Sequence, residues 1–191
     1  PAIVNAWYPG EQGGTAVAEV LFGDYNPAGK LPVTFYRNVS QLPDFEDYNM
    51  TGRTYRYMQD VPLFPFGYGL SYTTFGYGKT VLDKNELTAG QSLKLTVPVT
   101  NTGKRNGEEV VQVYLRKQGD AEGPIKTLRA FKRVSIPAGK TVNVEFDLKD
   151  KELEWWDDQS NTVRVCPGNY DIMVGGSSKE EDLQRTTIAI K

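Results

Sequence analysis

From residue 76 onward, apolar and polar side chains alternate along short segments, and this alternation restricts the fold more than any other feature of the sequence. Residues 93–100 read Leu-Lys-Leu-Thr-Val-Pro-Val-Thr, with leucine or valine at every second position. Successive side chains of a strand point to opposite faces, so this period of two predicts strands with one buried face. The same alternation places further apolar residues on one face each: Val111, Val113 and Leu115; Val142, Val144, Phe146 and Leu148; Tyr170, Ile172 and Val174; Ile188 and Ile190.

Polar, glycine-rich turns separate these segments. They lie at residues 101–103 (Asn-Thr-Gly), 106–107 (Asn-Gly), 137–139 (Pro-Ala-Gly) and 167–169 (Pro-Gly-Asn). About seven short strands at this spacing are typical of a β-sandwich, and we predict one over residues 76–191. A helical turn over residues 151–157, carrying Trp155 and Trp156, is expected to interrupt the strands.

The first 36 residues have a different pattern, that of a strand, a turn, a helix and a second extended segment. Residues 2–7 are predicted to form an apolar strand and residues 15–22 a helix with Val17 and Val20 on its apolar face. Gly23 suits the position after the last helical turn, and residues 31–36 return to an extended conformation. A parallel α/β sheet is normally covered on both faces, so this unit is interpreted as part of an α/β sandwich whose other strands lie upstream.

A small, complete α+β domain is the alternative for this segment. So few strands would give it a poor core, which makes the partial domain the favoured interpretation. Its apolar faces are then expected to seek a partner, either the upstream domains or a second copy of the chain.

Residues 37–75 form the third part, rich in aromatic residues and without a clear period. A long irregular stretch of this kind is typical of a connector between domains. The predicted organisation is therefore residues 1–36 as the partial α/β segment, 37–75 as the connector and 76–191 as the sandwich. The fold class is mostly β.

The composition excludes several kinds of catalytic and metal-binding site within the chain. It contains no histidine and one cysteine, Cys166, so a Ser-His-Asp triad, a Cys-His pair and a histidine or thiolate zinc site are all excluded within it. The net charge is −2 and no basic run could follow a phosphate backbone, which argues against nucleic acid as a partner. There is no apolar run long enough for a transmembrane helix, and no membrane partner is expected.

The glycine-rich turn at residues 9–14 (Pro-Gly-Glu-Gln-Gly-Gly) stands between a predicted strand and a predicted helix, where phosphate-binding loops occur. It has neither Gly-x-Gly-x-x-Gly nor Gly-Lys-Ser/Thr. We expect these glycines to allow a tight turn and close helix packing, and no cofactor is predicted.

Several longer motifs resemble glycoside hydrolase family 3. Residues 7–14 (Trp-Tyr-Pro-Gly-Glu-Gln-Gly-Gly) and 20–34 resemble the end of the α/β sandwich domain in family 3 β-glucosidases and β-xylosidases. Residues 62–73 (Pro-Leu-Phe-Pro-Phe-Gly-Tyr-Gly-Leu-Ser-Tyr-Thr) resemble the segment that leads into the family's fibronectin type III-like domain, and residues 107–114 and 170–178 resemble strands of that domain. Residues 41–57 are more similar to the bacterial β-xylosidases than to the common β-glucosidases.

The resemblance implies an enzyme that removes β-linked xylose or glucose from non-reducing ends with retention, through two carboxylates and without metal or cofactor. In this family the nucleophile is an aspartate of an N-terminal TIM-like barrel, and the acid/base is usually a glutamate of the α/β domain upstream of the Trp-Tyr-Pro-Gly segment. No catalytic residue is therefore expected in this chain, and Glu11 matches a structural position. The implied partners are the upstream barrel and α/β domain and, through them, an oligosaccharide; the implied location is periplasmic or secreted.

The candidate substrate-binding residues lie on the connector. Asp47, with the neighbouring carboxylates Asp44 and Glu46, belongs either to a solvated loop or, with Arg53 and Arg56, to a surface that hydrogen-bonds sugar hydroxyls. Three aromatic residues of the connector could stack on a sugar ring or pack between domains: Tyr55, Tyr57 and Phe64. The candidates for a sugar contact are thus Arg53, Tyr55 and Asp47.

Two other functions remain open for the sandwich. It could be a carbohydrate-binding module, for which an exposed tryptophan is a candidate, since Trp155 and Trp156 are adjacent and at least one should be buried. It could also be a plain structural or adhesion module. The first 75 residues argue against adhesion, because such modules do not carry the family 3 segments.

Overall fold

The computed structural model describes residues 2–191, and β-structure dominates it. The helices are α1 (Gly13–Phe22), α2 (Thr54–Tyr57) and α3 (Asp150–Leu153), with short 3₁₀ turns at Val39–Gln41 and Glu180–Asp182. The strands are β1 (Phe75–Tyr77), β2 (Val81–Leu82), β3 (Glu86–Leu87), β4 (Leu93–Asn101), β5 (Gly107–Lys117), β6 (Thr127–Ile136), β7 (Thr141–Leu148), β8 (Trp155–Asp157), β9 (Thr162–Arg164), β10 (Gly168–Gly175) and β11 (Gln184–Ile190). No helix in this range is long and apolar enough to cross a membrane.

Two sheets pack face to face over residues 75–190. In the first, β4 pairs with β7 along one edge, while β1 and β2 share its other edge. The second has the order β3-β11-β10-β5-β6 and is antiparallel except for the short β3–β11 pair. A separate ribbon, β8–β9, completes the domain. The predicted mostly-β sandwich is confirmed.

The alternating apolar residues form the core between the sheets. Leu93, Val97, Val111, Ile172 and Val174 are all completely buried, and they belong to strands of both sheets. Alternation therefore identified the inner faces correctly. Residues 2–191 contain eleven strands instead of about seven, and five of them span only two or three residues, too short for a period of two to be recognised.

The five-stranded sheet also buries part of its outer face, which alternation did not predict. On β5, Gln112 and Tyr114 point away from the core residues and are nevertheless only 2% and 0% exposed. The Tyr55 ring of the connector meets the Tyr114 ring edge-on at 5.8 Å, and the Gln112 amide donates to the carbonyl of Gly67 at 3.1 Å. The connector is therefore an outer layer on the sandwich.

The N-terminal segment differs from the prediction in its strands. Helix α1 and the left-handed Gly23 that ends it are confirmed, but residues 2–7 form no strand. A strand requires the backbone of a neighbour, and no described segment pairs with these residues. Residues 31–35 instead bond to the connector: Leu31 N donates to the Tyr68 carbonyl at 2.9 Å, and Phe35 forms an isolated antiparallel bridge with Phe64.

The expected helical turn at 151–157 is also partly wrong. Helix α3 ends at Leu153, and both tryptophans lie on β8, which pairs with β9. Trp155 is buried while Trp156 is about half exposed. The adjacent residues point to opposite sides of the ribbon, as the period of a strand requires.

A buried ion pair fastens the N-terminal segment to the sandwich. Lys30 Nζ lies 3.2 Å from the Glu109 carboxylate, and the two side chains are 15% and 6% exposed. Tyr77, on the opposite sheet, donates its hydroxyl to the same carboxylate at 2.8 Å. Burial, with the nearby charge of Glu109, raises the pKa of Tyr77, so that its hydroxyl stays protonated and remains a donor. One carboxylate thus joins three parts of the chain.

Two glycines allow the close approach of the connector. Gly67 has a positive φ of 76°, and a side chain there would collide with Gln112. A side chain at Gly69 would collide with the backbone of Gly29, just where Lys30 Nζ donates to the Gly69 carbonyl at 3.3 Å. The glycines of residues 62–73 are therefore required by packing.

Glu109→Ala should lower the free energy of unfolding by about 3–5 kcal/mol, because it leaves the buried ammonium of Lys30 without its counter-charge. The measurement is urea unfolding of the 191-residue chain. Glu108→Ala is the matched control: Glu108 pairs with Arg133 at the surface, and its loss should cost about 0–1 kcal/mol.

The double variant Lys30→Met with Glu109→Gln should recover most of the loss, since it removes both charges and keeps an acceptor for Tyr77. Equal effects of Glu108→Ala and Glu109→Ala would show that the buried pair does not hold the junction.

Candidate functional site

The predicted sugar-contacting residues lie together on one part of the connector, the 44–53 loop and the short helix α2 that follows it. Asp44 and Asp47 start two successive turns, in which their Oδ1 atoms accept from the backbone N–H groups of Glu46 and Asn49, each at 2.9 Å. Aspartate favours such turns because its side chain reaches its own backbone two residues on. The loop is therefore ordered by its own acidic side chains.

Arg53 holds the 44–53 loop from within. Its guanidinium donates to the backbone carbonyl oxygens of Asn49 at 2.9 Å, of Asp44 at 3.3 Å and of Asp47. A planar guanidinium can serve several acceptors at once in a fixed geometry, which lysine cannot do. Arg53 thus organises the loop, and within the described residues it forms no ion pair.

The turns leave two aromatic rings of the 44–53 loop in solvent. Phe45 is 94% exposed and Tyr48 is 91% exposed. Exposed rings on an ordered loop form an interaction surface at little cost in conformational entropy. Neither residue was predicted from the sequence to contact a sugar, although both lie within residues 41–57, which carry the family resemblance.

Tyr55 packs against the sandwich. Its ring stacks on Phe66 with the centroids 4.3 Å apart, and its hydroxyl accepts a hydrogen bond from the backbone N–H of Leu128 on β6 at 3.0 Å. The Phe66 contact lies within the connector, while the Leu128 bond and the edge-on contact with Tyr114 tie α2 to the sandwich, as the packing interpretation of the connector aromatics requires. Whether Tyr55 also contacts a sugar stays a prediction.

Arg56 of α2 and Arg129 of β6 lie near one another. Arg129 of β6 lies over the ring of Trp155, with its guanidinium carbon 5.5 Å from the centroid, and donates to the Glu154 carbonyl at 2.5 Å. Burial, together with the nearby charge of Arg56, lowers the pKa of Arg129. Arg56 lies 5.6 Å from the ring centroid of Tyr57. These cations have aromatic neighbours, an arrangement that stabilises a partly buried guanidinium.

The carboxylates proposed from the sequence do not form an enclosed acidic site. Glu11, Asp44 and Glu46 are exposed, and Asp47 is half-buried with its Oδ1 already used by Asn49. Within residues 2–191 there is no group of three or more cysteine, aspartate and glutamate side chains placed to hold a metal. The arrangement can present a surface to a ligand, and it offers no desolvated acid for proton transfer.

Tyr55→Phe should lower the free energy of unfolding by about 1–3 kcal/mol, because the Leu128 N–H then loses its acceptor at a partly buried position. Tyr48→Phe is the matched control: its hydroxyl is in solvent and its loss should change stability by less than about 0.5 kcal/mol. Chemical unfolding of both variants measures the difference. Equal stabilities would mean that the Tyr55 hydroxyl does not anchor the connector.

Comparison with known proteins gives two family matches along the chain. Residues 1–72 match the glycosyl hydrolase family 3 C-terminal domain, and residues 109–178 match the fibronectin type III-like domain. The second match falls within the observed sandwich, and the first covers α1, the 44–53 loop and most of the connector.

Curated relatives with similar sequences include xylosidases and glucosidases. A protein named xylan 1,4-beta-xylosidase, from Xylanibacter ruminicola, is 56% identical over 99% of this chain. The periplasmic beta-glucosidase of Salmonella typhimurium is 38% identical over 93% of it. The chain spans only 22% and 25% of these two relatives, so it corresponds to about a quarter of such enzymes.

Solved structures agree with this relationship. A β-glucosidase from Erythrobacter marinus superposes with a TM-score of 0.82 at 42% identity, over 97% of this chain and 24% of its own. The β-glucosidase of Listeria innocua in complex with glucose gives 0.79 at 31% identity, over 96% of this chain and 27% of its own. The order of the motifs, the sandwich and both family matches lead to one conclusion: the chain belongs to glycoside hydrolase family 3, as the C-terminal part that ends in a fibronectin type III-like domain.

Proposed function

We propose that the chain is the non-catalytic C-terminal portion of a retaining, exo-acting β-glycosidase, with β-xylosides favoured over β-glucosides as substrates. The observation that carries this proposal is the 56% identity, over nearly the whole chain, to the protein named xylan 1,4-beta-xylosidase. A second relative, named beta-xylosidase and found in Formosa agariphila, is 43% identical over the full chain, against 38% for the Salmonella β-glucosidase. The substrates would be non-reducing ends of plant-type oligosaccharides, and the location would be the periplasm or the exterior.

The non-catalytic role is supported by the state of the acidic residues. Retaining glycosidases need two carboxyl groups about 5–5.5 Å apart, one as nucleophile and one as acid/base. The candidates on the 44–53 loop are exposed or engaged in turns, as described above. The two catalytic carboxylates would come from the parent's barrel and α/β domain, and this chain would support them.

The structure suggests how such support would work. The Lys30–Glu109 pair and the connector fasten the N-terminal segment to the sandwich, so the two would move together. Ile3, Val4, Leu21 and Phe22 expose between 50% and 84% of their surface, and we propose that they contact the remaining domains of the enzyme. Self-association through the same face is the corresponding expectation for the isolated chain.

The 44–53 loop is the part proposed to face the saccharide. Arg53 and Asp47 would act by shaping the loop and Tyr55 by anchoring its base, while Phe45 and Tyr48 provide the rings that meet sugar C–H groups. In this role the three candidates are positioning residues. A carbohydrate-binding sandwich has less support, since the exposed rings Phe131 and Trp156 lie on different sheets.

The isolated chain should hydrolyse neither aryl β-xylosides nor aryl β-glucosides, because it lacks the nucleophile and the acid/base. Release of the chromophore is the measurement, with the longer parent enzyme as positive control. Turnover by the pure chain that disappears in Glu11→Gln or Asp47→Asn would overturn the non-catalytic assignment. Faster turnover of glucosides than xylosides by the parent would overturn the substrate preference alone.

Arg53→Ala, made in the longer enzyme, should lower kcat/KM for xylo-oligosaccharides about tenfold, mainly through KM, because the loop loses its three carbonyl contacts. Arg116→Ala is the control, since Arg116 is exposed on β5. Comparison of the two unfolding curves separates a loop effect from general instability. An unchanged KM for Arg53→Ala would remove the loop from substrate binding.

A further inference from the structure

A cleft of about 390 Å³ lies between the connector and the loop that joins β5 to β6. One wall is formed by Gln41, residues 51–52 and residues 57–60, and the other by residues 121–123 and Ile125. The family matches assign nothing to it, and none of the candidates Asp47, Arg53 and Tyr55 lines it. Its volume lies at the lower end of the range for small-molecule sites, roughly 300–1,000 Å³.

Hydrogen bonds hold both walls of the cleft in place. The N–H of Ile125 donates to the Arg56 carbonyl at 2.6 Å, which ties the two walls together. Asp120, at the base of the second wall, accepts from the Gly123 N–H at 2.8 Å and from the indole N–H of Trp155 at 2.6 Å. The cleft is therefore preformed, because each wall is bonded to the other or to the sandwich.

Several polar side chains line this cleft. Thr51, Tyr57, Gln59, Asp60 and Glu122 line it, and among residues 2–191 their side chains make no hydrogen bond or ion pair. They offer two hydroxyls, one amide and two carboxylates next to one aromatic ring. Carboxylate and amide oxygens accept from hydroxyl groups, and the amide N–H and the phenol donate to them.

These groups select the kind of ligand. Asp60 and Glu122 repel an anionic ligand, and within residues 2–191 no group of three or more carboxylate or thiolate side chains is placed to hold a metal ion. A neutral polyol supplies both donors and acceptors, and its C–H faces suit an aromatic neighbour. We propose that this cleft is an accessory binding site for a neutral saccharide, a β-linked pentose or hexose oligomer, separate from the site of hydrolysis. That this oligomer is a fragment of the enzyme's own substrate rests on the function proposed above.

Binding to the cleft is measurable by titrating the ¹⁵N-labelled chain with xylotriose and following its amide signals. The signals of residues 57–60 and 121–123 should shift with a dissociation constant in the millimolar range, as an open cleft with few contacts allows. Tyr57→Phe and Glu122→Gln should each weaken binding about fivefold, which is the effect of one lost net hydrogen bond. Both replacements keep the shape of the side chain, and an unchanged unfolding midpoint shows that the cleft remains folded.

Trp156→Ala is the matched control, since Trp156 is an exposed ring on the β8–β9 ribbon and does not line the cleft. It should bind xylotriose as the unaltered chain does. Three results would overturn the proposal: no shifts at tens of millimolar xylotriose, shifts confined to the ribbon and lost in Trp156→Ala, or shifts produced by CaCl₂ and not by the sugar.

The accessory cleft and the proposed function can fail separately. Hydrolysis is measured on the longer parent enzyme with an aryl monosaccharide, while binding is measured on this chain with an oligosaccharide that it cannot cleave. A parent that cleaves xylosides and a chain that binds no xylotriose would remove only the accessory site. A chain that binds xylotriose and a parent without glycosidase activity would remove only the proposed function.

Discussion

The ion pair between Lys30 and the buried carboxylate of Glu109 is the interaction on which the arrangement of the chain depends. This carboxylate pairs with the ammonium of Lys30 from the N-terminal segment and accepts a hydrogen bond from the hydroxyl of Tyr77 on the opposite sheet. A buried charge is tolerated only when it is paired and hydrogen-bonded, so the three groups must stay together. These contacts join the N-terminal segment directly to both sheets of the sandwich.

Next to this junction, the connector forms a third layer on part of the outer face of the five-stranded sheet. Its backbone bonds to residues 31–35 on one side, and its Tyr55 and Gly67 cover the outer face of the five-stranded sheet on the other. Tyr114 and Gln112 are consequently buried on the face that a simple sandwich would expose to water. Tyr55 and Phe66 fill the space over this face, whereas Phe45 and Tyr48 of the same segment remain in solvent.

The same connector carries the two surfaces proposed to bind a saccharide. The 44–53 loop and the cleft beside α2 share Thr51 and Gly52, and both depend on bonds from the connector to itself or to the β5–β6 loop. The loop presents apolar rings, whereas the cleft presents unpaired polar groups. A saccharide has both kinds of surface, C–H faces and hydroxyl rims, so the two surfaces are chemically suited to one class of ligand.

The sequence by itself determined the sandwich and its inner faces, because the period of two in β4, β5, β7, β10 and β11 follows directly from strand geometry. It also determined α1 with its terminal Gly23 and the family, which rests on ordered local motifs. Tertiary structure alone decided three features that a local pattern does not specify. Residues 2–7 have no strand partner among the described residues, and Glu109 and Gln112 contact residues more than 40 positions away. Arg53 and Tyr55 form hydrogen bonds with backbone groups of the chain. The physical reason is that periodicity records which side of an element is buried, whereas a partner is chosen by the contacts that long-range packing brings within reach.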